Sequence, residues 1–192
     1  MHQTLSELIF KDLANNISNI SDYDFFRLKD FIINKKNDFT FDLLLIAFTN
    51  CYNNYIENLA FLEKDLDKKS LLETLSLRCK ELLNLINIFD EDILLNFIGE
   101  LKEIILSLFS NNDINFVNSF FYKFSKIEPL FCLKLLKKKK DILTENLNSL
   151  LLILEDEYEQ YQTLSFEIEE ILNRNISDFK YDFPAFNYLD FL

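Results

Sequence analysis

Apolar residues recur every three or four positions along most of this chain, which is the spacing of one face of an α-helix. The segment Thr4-Leu-Ser-Glu7 is a capping box and predicts a short helix that ends at about Ala14. Ser21 predicts the start of a second helix, which ends near Lys35. The apolar face of this second helix consists of Phe25, Leu28 and Ile32.

Two longer segments repeat apolar residues in alternating steps of four and three, which is a heptad pattern. Thr40 is expected to cap the first. Asp141 or Thr144 opens the second, which has no helix breaker over residues 142–174 and predicts a helix of about 50 Å. We expect these helices to pack on each other or on a second copy of the chain. Their apolar positions are Leu44, Phe48, Cys51, Tyr55, Leu59, Leu62 and Leu66, and Leu143, Leu147, Leu150, Leu154, Tyr158, Tyr161, Leu164, Ile168 and Ile171.

Shorter helices are predicted between the two long ones. The capping box Ser70-Leu-Leu-Glu73 opens one that reaches about Phe89, and Asp90 opens another that reaches about Phe109. The second of these contains Gly99, the only glycine of the chain. Glycine inside a helix costs about 1 kcal/mol relative to alanine, so we expect a close helix crossing at this position.

Two more helices follow. Residues 111–113 predict a loop and cap for a short aromatic helix that runs through Lys126, and Glu128-Pro129 marks the next boundary. The helix that starts at Pro129 ends in four lysines, 137–140. These lysines suit the negative end of the helix dipole, and a contact with phosphate or nucleic acid is the alternative interpretation.

Composition supports an all-α fold. One glycine and two prolines in 192 residues are too few for the turns of a sheet protein, whereas helices can end on Asn and Asp. The abundance of Phe, Ile, Asn and Lys also indicates an AT-rich gene of the kind found in bacteria and phages. The sequence predicts an irregular bundle of about seven or eight helices, with an all-helical domain over residues 1–174 and an aromatic tail over 175–192.

The chain shows no signal for export or for a membrane. The apolar runs 43–48 and 150–154 are far shorter than the ~18–20 residues that span a bilayer, and the first residues lack the basic start of a leader. Cys51, Cys79 and Cys132 have no metal or redox spacing and fall among apolar neighbours. We expect a cytoplasmic protein whose thiols are reduced and inert.

Few residues could carry catalysis. His2 is the only histidine, which leaves no parts for a zinc site or a histidine-based triad, and one glycine cannot form a phosphate-binding loop. Carboxylates in Glu-x-x-Glu spacing could hold Mg²⁺, but this spacing arises easily by chance on exposed helix faces. The pairs with this spacing are Glu100 with Glu103 and Glu167 with Glu170. We therefore expect neither a cofactor nor an enzymatic activity.

Charge is distributed unevenly. Residues 1–140 carry a net charge of −2, whereas residues 141–192 hold 12 acids against Arg174 and Lys180, a net charge of −10. Such polarity favours a partner with a basic surface, and a merely solvated helix face is the alternative. The acids of the last helix are Glu155, Asp156, Glu157, Glu159, Glu167, Glu169 and Glu170.

The last residues of the chain are unusually aromatic for a polar tail. We expect this segment to dock on its own bundle, and a linear motif that binds another protein is the alternative. Its aromatic residues are Phe179, Tyr181, Phe183, Phe186, Tyr188 and Phe191.

The sequence favours binding over catalysis. The expected function is that of an adaptor, inhibitor or regulatory subunit that contacts another protein through helical surfaces. An acidic antagonist or mimic of nucleic acid, such as an antitoxin-like or anti-defence protein, is the alternative, and a carboxylate–Mg²⁺ nucleotide enzyme is the third. The partner is expected to be a protein, with no direct nucleic-acid or membrane contact, and a homodimer through a long helix remains an option.

Overall fold

The computed structural model describes residues 4–60, 66–118 and 120–175, and the chain divides into two compact units, 1–150 and 151–192. The described residues form nine α-helices and no strand, which confirms the all-α prediction. Turns of 3-10 helix lie at Ile86–Ile88, Ile114–Phe116 and Lys140–Ile142. The helices are α1 (Leu5–Asn15), α2 (Asp22–Lys35), α3 (Asp38–Leu59), α4 (Leu66–Leu85), α5 (Glu91–Asn96), α6 (Ile98–Ser110), α7 (Phe121–Ile127), α8 (Pro129–Lys138) and α9 (Glu145–Asn175).

The first two predicted caps are confirmed. The Glu7 N–H donates to Thr4 Oγ1 at 3.3 Å while the Thr4 N–H donates to Glu7 Oε2 at 3.0 Å, and Ser21 Oγ accepts from the Asp24 N–H at 3.1 Å. Thr144 is the residue that opens α9, because its Oγ1 accepts from the Leu147 N–H at 3.4 Å.

The predicted cap of α3 is wrong. The N-cap is Asn37, whose Oδ1 accepts from the Thr40 N–H at 3.0 Å, while the Asn37 N–H donates to Thr40 Oγ1 at 3.0 Å. Thr40 is therefore the third residue of a capping box that begins one turn earlier. Asparagine is at least as good an N-cap as threonine, so the earlier residue takes the position.

The boundary between the third and fourth helices also differs from the prediction. Helix α3 ends at Leu59 instead of continuing to Leu66, and Leu66 instead begins α4. Ser70 lies inside α4, where its carbonyl accepts from Thr74 Oγ1, so it does not open the helix. Leu62 lies outside the described residues.

The predicted helix from Asp90 to Phe109 is divided at Phe97 into α5 and α6. Gly99 is the second residue of α6, and a Cβ placed on it would meet no atom within 4 Å. The expected helix crossing at this glycine is therefore absent. A glycine near a helix end destabilises the helix less than one in its interior, so no close helix crossing is needed to explain Gly99.

The chain turns into the left-handed region at residues other than glycine. Asn112 has φ 60°, and the Asp113 N–H donates to Leu108 O at 2.9 Å, so α6 ends in a Schellman motif with asparagine in the usual glycine position. This turn leads into a 3-10 turn, and the predicted aromatic helix begins only at Phe121. Lys36, with φ 42°, ends α2 in the simpler αL motif, in which its N–H donates to Ile32 O at 3.2 Å.

Helix α3 lies at the centre of the first unit. It packs against α1, α2 and α4, and α7 packs against α8. The heptad prediction holds for the first half of α3, where Leu44, Phe48 and Cys51 are buried, but Leu59 is exposed at its end. The buried residues of α3 are Thr40, Phe41, Leu43, Leu44, Leu45, Ala47, Phe48, Cys51 and Tyr52.

The left-handed residue at the end of α2 generates a stability prediction. We expect Lys36→Gly to raise the free energy of unfolding by up to about 1 kcal/mol, because glycine adopts positive φ without the strain of a Cβ. Lys35→Gly is the matched control, since Lys35 is also exposed but helical. It should not raise the free energy of unfolding, because Lys35 is helical and glycine relieves no strain there. Urea unfolding of both variants measures the difference, and equal effects would contradict the assignment.

Candidate functional site

The acids predicted as a partner surface lie on α9. The side chains of Asp156, Glu157 and Glu159 are exposed, and Glu155 is half-buried. Asp156 Oδ2 accepts from Gln160 Nε2 at 2.9 Å, one helical turn further on. No basic residue occurs between positions 142 and 173, so every charged residue in this stretch of the sequence is acidic.

Exposed apolar side chains accompany these acids. Ile153 is 49% exposed and Leu164 is 55% exposed. Steps of three and four residues place five side chains along one side of α9, and we name this set the acidic–apolar stripe. It consists of Ile153, Asp156, Glu157, Gln160 and Leu164. Leu151, on the opposite side of the helix, and Leu154, about 100° from Ile153, are both buried.

The heptad pattern assigned Tyr161 and Leu164 to the apolar seam, but both are more than half exposed, and the pattern leaves out Ile153. The usable signal was the run 150–154, which is apolar at five consecutive positions. Successive residues of a helix advance by about 100°, so five of them surround the axis and cannot all face one side. Either neighbours cover such a helix on every side or some of these residues are exposed, and here Leu152 and Ile153 are exposed.

Several predicted binding residues cannot be placed. Glu167, Glu169 and Glu170 belong to α9, but their side chains lie outside the described part. The tail over residues 176–192 also lies outside it, so the docking of its aromatic residues stays a prediction. Those residues are Phe179, Tyr181, Phe183, Phe186, Tyr188 and Phe191.

A second apolar surface, not identified from the sequence, lies on the first two helices. Each helix buries one side, as predicted for Phe25, Leu28 and Ile32, and exposes large apolar residues on another side. Phe10 of α1 stacks on Phe31 of α2 with ring centroids 4.0 Å apart, which joins the helices. The exposed residues are Leu5, Leu8 and Ile9 on α1 and Tyr23, Phe26 and Ile33 on α2.

Arg78 of α4 is buried and holds the connection between α1 and α2. Its Nη1 donates to Ile17 O at 2.7 Å, and its Nη2 donates to Ile20 O at 3.0 Å and to Asp22 Oδ1 at 2.8 Å. Its guanidinium also lies 5.1 Å from the ring centroid of Phe25. These contacts pair both terminal nitrogens of the buried guanidinium, while its Nε has no hydrogen-bond partner among the described residues. The role of Arg78 is therefore to position the helices.

Tyr52 of α3 makes a second polar contact across the core. Its hydroxyl donates to Asp113 Oδ2 at 2.7 Å and accepts from Asn111 Nδ2 at 3.0 Å. Burial, followed by the hydrogen bond with Asp113, raises the pKa of Tyr52 above its ordinary value. The asparagine-rich turn after α6 is thereby attached to α3.

The lysine run at the end of α8 has a structural position. Lys137 and Lys138 occupy the last turn of the helix, where positive charge stabilises the dipole, and Lys139 is its C-cap. None of the contacts described for these lysines supports the phosphate contact that the sequence suggested as an alternative.

No cluster of three or more potential metal ligands occurs among the residues described. Glu100 and Glu103 of α6 are both exposed on the surface. A cleft of about 150 Å³ lies between α1 and the start of α3 and is lined in part by Phe31, Phe39 and Thr40. It is smaller than the ~300–1,000 Å³ typical of ligand pockets. Within the described ranges, no helix is long and apolar enough to cross a bilayer.

Comparison with known proteins gives no relative: no family model, no curated protein and no solved structure matches the chain.

The Tyr52 contact generates a prediction about stability and pH. We expect Tyr52→Phe to lower the free energy of unfolding by about 1–2 kcal/mol at neutral pH, because Asp113 and Asn111 lose their partner. Because the pKa of Tyr52 is higher in the folded state than in the unfolded state, the stabilisation by its hydroxyl is fully present below about pH 10, the pKa in the unfolded chain. The stabilisation is lost as the pH rises above that value. The difference between the two proteins should therefore shrink above about pH 10.

Urea unfolding at pH 7, 9 and 10.5 measures this difference. Tyr122→Phe is the control, because Tyr122 is 59% exposed and its loss should change stability by less than about 0.5 kcal/mol. A difference for Tyr52→Phe that is absent at pH 7, or that grows with pH, would contradict the assigned network.

Proposed function

We propose that this chain is a protein-binding adaptor, inhibitor or regulatory subunit whose partner binds the acidic–apolar stripe of α9. One observation carries the proposal: apolar Ile153 and Leu164 and acidic Asp156 and Glu157 are all exposed on the same side of one helix. Exposed apolar residues bordered by charge are typical of surfaces that bind other proteins.

The two kinds of side chain assign different properties to the partner. Burial of Ile153 and Leu164 would supply most of the binding free energy, so the partner needs an apolar groove or helix face. Asp156 and Glu157 of the stripe, together with the exposed Glu159 next to it, would select a partner with a basic rim and accelerate its association. The net charge of −10 over residues 141–192 disfavours direct binding to nucleic acid, whose phosphates carry the same sign.

An antagonist of a nucleic-acid-binding protein is the second candidate. The exposed carboxylates of Asp156, Glu157 and Glu159 are what favours it, because a row of negative charge can occupy a groove that otherwise holds phosphates. Both candidates use the same stripe and differ in the target. Competition by duplex DNA for the captured partner distinguishes them, since only a nucleic-acid-binding target is displaced.

We expect Asp156→Lys, Glu157→Lys and Glu159→Lys, combined in one variant, to weaken binding of the basic partner about tenfold or more. The physical reason is that charge attraction becomes repulsion at the rim of the interface. The measurement uses the basic protein that the wild-type chain captures from its native host, purified and titrated against both proteins. Association of the wild type should slow as salt rises, because exposed charges are screened beyond about 8–10 Å.

The matched control reverses three exposed acids elsewhere, Glu57, Glu73 and Glu103, and changes the net charge by the same amount. It should retain wild-type affinity within about threefold. Ile153→Ser with Leu164→Ser should weaken binding while preserving its salt dependence. Equal losses in the Asp156, Glu157 and Glu159 reversal variant and in the control, or association that does not depend on salt, would refute this side of α9 as the binding surface.

A further inference from the structure

Two of the three cysteines lie in the core where α3 packs on α4. Cys51 and Cys79 are fully buried, and these two helices pack directly on each other. Cys51 Sγ donates to Leu75 O at 3.5 Å, and Leu75 lies one helical turn before Cys79 on α4. The Cys51 sulfur therefore contacts the turn of α4 that ends at Cys79.

The two thiols differ in acidity. Interaction with the Cys79 thiol is the main reason that the pKa of Cys51 is lowered, and the positive charge of nearby Arg78 contributes, against the effect of burial. Interaction with Cys51, together with burial, raises the pKa of Cys79. Of the two, Cys51 thus has the greater thiolate character, and the thiolate is the nucleophilic form.

We propose that Cys51 and Cys79 form a dithiol that a small hydroperoxide oxidises to an intramolecular disulfide joining α3 to α4. In the first step the Cys51 thiolate attacks one oxygen of the peroxide; an S–O bond forms, the O–O bond breaks, and hydroxide (for an alkyl hydroperoxide, alkoxide) leaves and takes a proton. In the second step the Cys79 sulfur attacks the Cys51 sulfenic acid. The S–S bond forms, the S–O bond breaks, and water leaves with the proton of Cys79.

The electron balance is complete with one peroxide. Two thiols lose two electrons and two hydrogens, and hydrogen peroxide is reduced to two waters. Both sulfurs are buried, so the oxidant has to be small and the reaction slower than that of an exposed thiol. The spacing of Cys51 and Cys79 in the sequence gives no sign of this pair, because only the packing of α3 on α4 brings them together.

Cys132 provides a matched control within the same molecule. It is also fully buried, on α8, and burial raises its pKa. It has no second thiol beside it among the described residues, so oxidation there could reach a sulfenic or sulfinic acid but no intramolecular disulfide.

The test treats the reduced full-length chain with hydrogen peroxide under native conditions, and then blocks the remaining thiols in denaturant. Intact mass and peptide mapping should show the loss of two hydrogens, a disulfide between the peptides of Cys51 and Cys79, and a blocked thiol at Cys132. The oxidised protein should melt at a higher temperature than the reduced one, because the bond closes a loop of about 28 residues in the unfolded chain.

The variants Cys51→Ala and Cys79→Ala should abolish the disulfide, whereas Cys132→Ala should retain it at the wild-type rate. The peptide map of the oxidised wild-type protein tests the proposal even if a variant fails to fold. A disulfide that includes Cys132, stable sulfinic acid at Cys51 without a disulfide, or no oxidation of either thiol at peroxide excess would each overturn the proposal.

Discussion

The buried helix α3 imposes the main constraint on residues 1–150. Residues 43, 44 and 45 are consecutive and all buried, and Ala47 and Phe48 extend this burial along the helix. Because consecutive helical residues point in directions about 100° apart, neighbours must cover α3 on several sides. Helices α1, α2 and α4 provide that cover, and their positions follow from the need to exclude water from this one helix.

Because the chain has few glycines and prolines, polar side chains have to stabilise the connections between its helices. Asn112 takes the left-handed position after α6, and Asn37 caps α3 immediately after the left-handed Lys36. Arg78 reaches from α4 to the carbonyls of Ile17 and Ile20 in the α1–α2 connection. A buried carbonyl without a partner is costly, so this arginine stabilises a loop whose own backbone leaves carbonyls unpaired.

Local signals in the sequence were sufficient for the fold class and for many helix ends. The caps at Thr4, Ser21 and Thr144 were correct because capping depends on residues within one turn. The close crossing expected at Gly99 was wrong because helix crossings depend on which helices meet, which a single sequence does not contain. The contact of Cys51 with the turn of α4 that ends at Cys79 was invisible for the same reason.

The candidate surface was predictable only in part. The charge imbalance drew attention to the acids of α9, of which Asp156, Glu157 and Glu159 are exposed and Glu155 is half-buried. Heptad spacing, however, assigned Leu164 to the buried side and overlooked Ile153. A heptad pattern describes a helix with one apolar side, so it does not describe a helix that has apolar residues on two sides. The second side distinguishes a solvated acidic helix from the protein-binding surface proposed for this chain.

Native-state hydrogen exchange of the full chain tests the central position of α3 most directly. If α3 is the helix around which the first unit is built, its amides from Phe41 to Tyr52 should exchange only through global unfolding, with free energies equal to that from urea unfolding. The amides of α1 and α2 should exchange at equal or lower free energies. Exchange of the α3 amides well below the global value, while α1, α2 and α4 stay protected, would contradict this account.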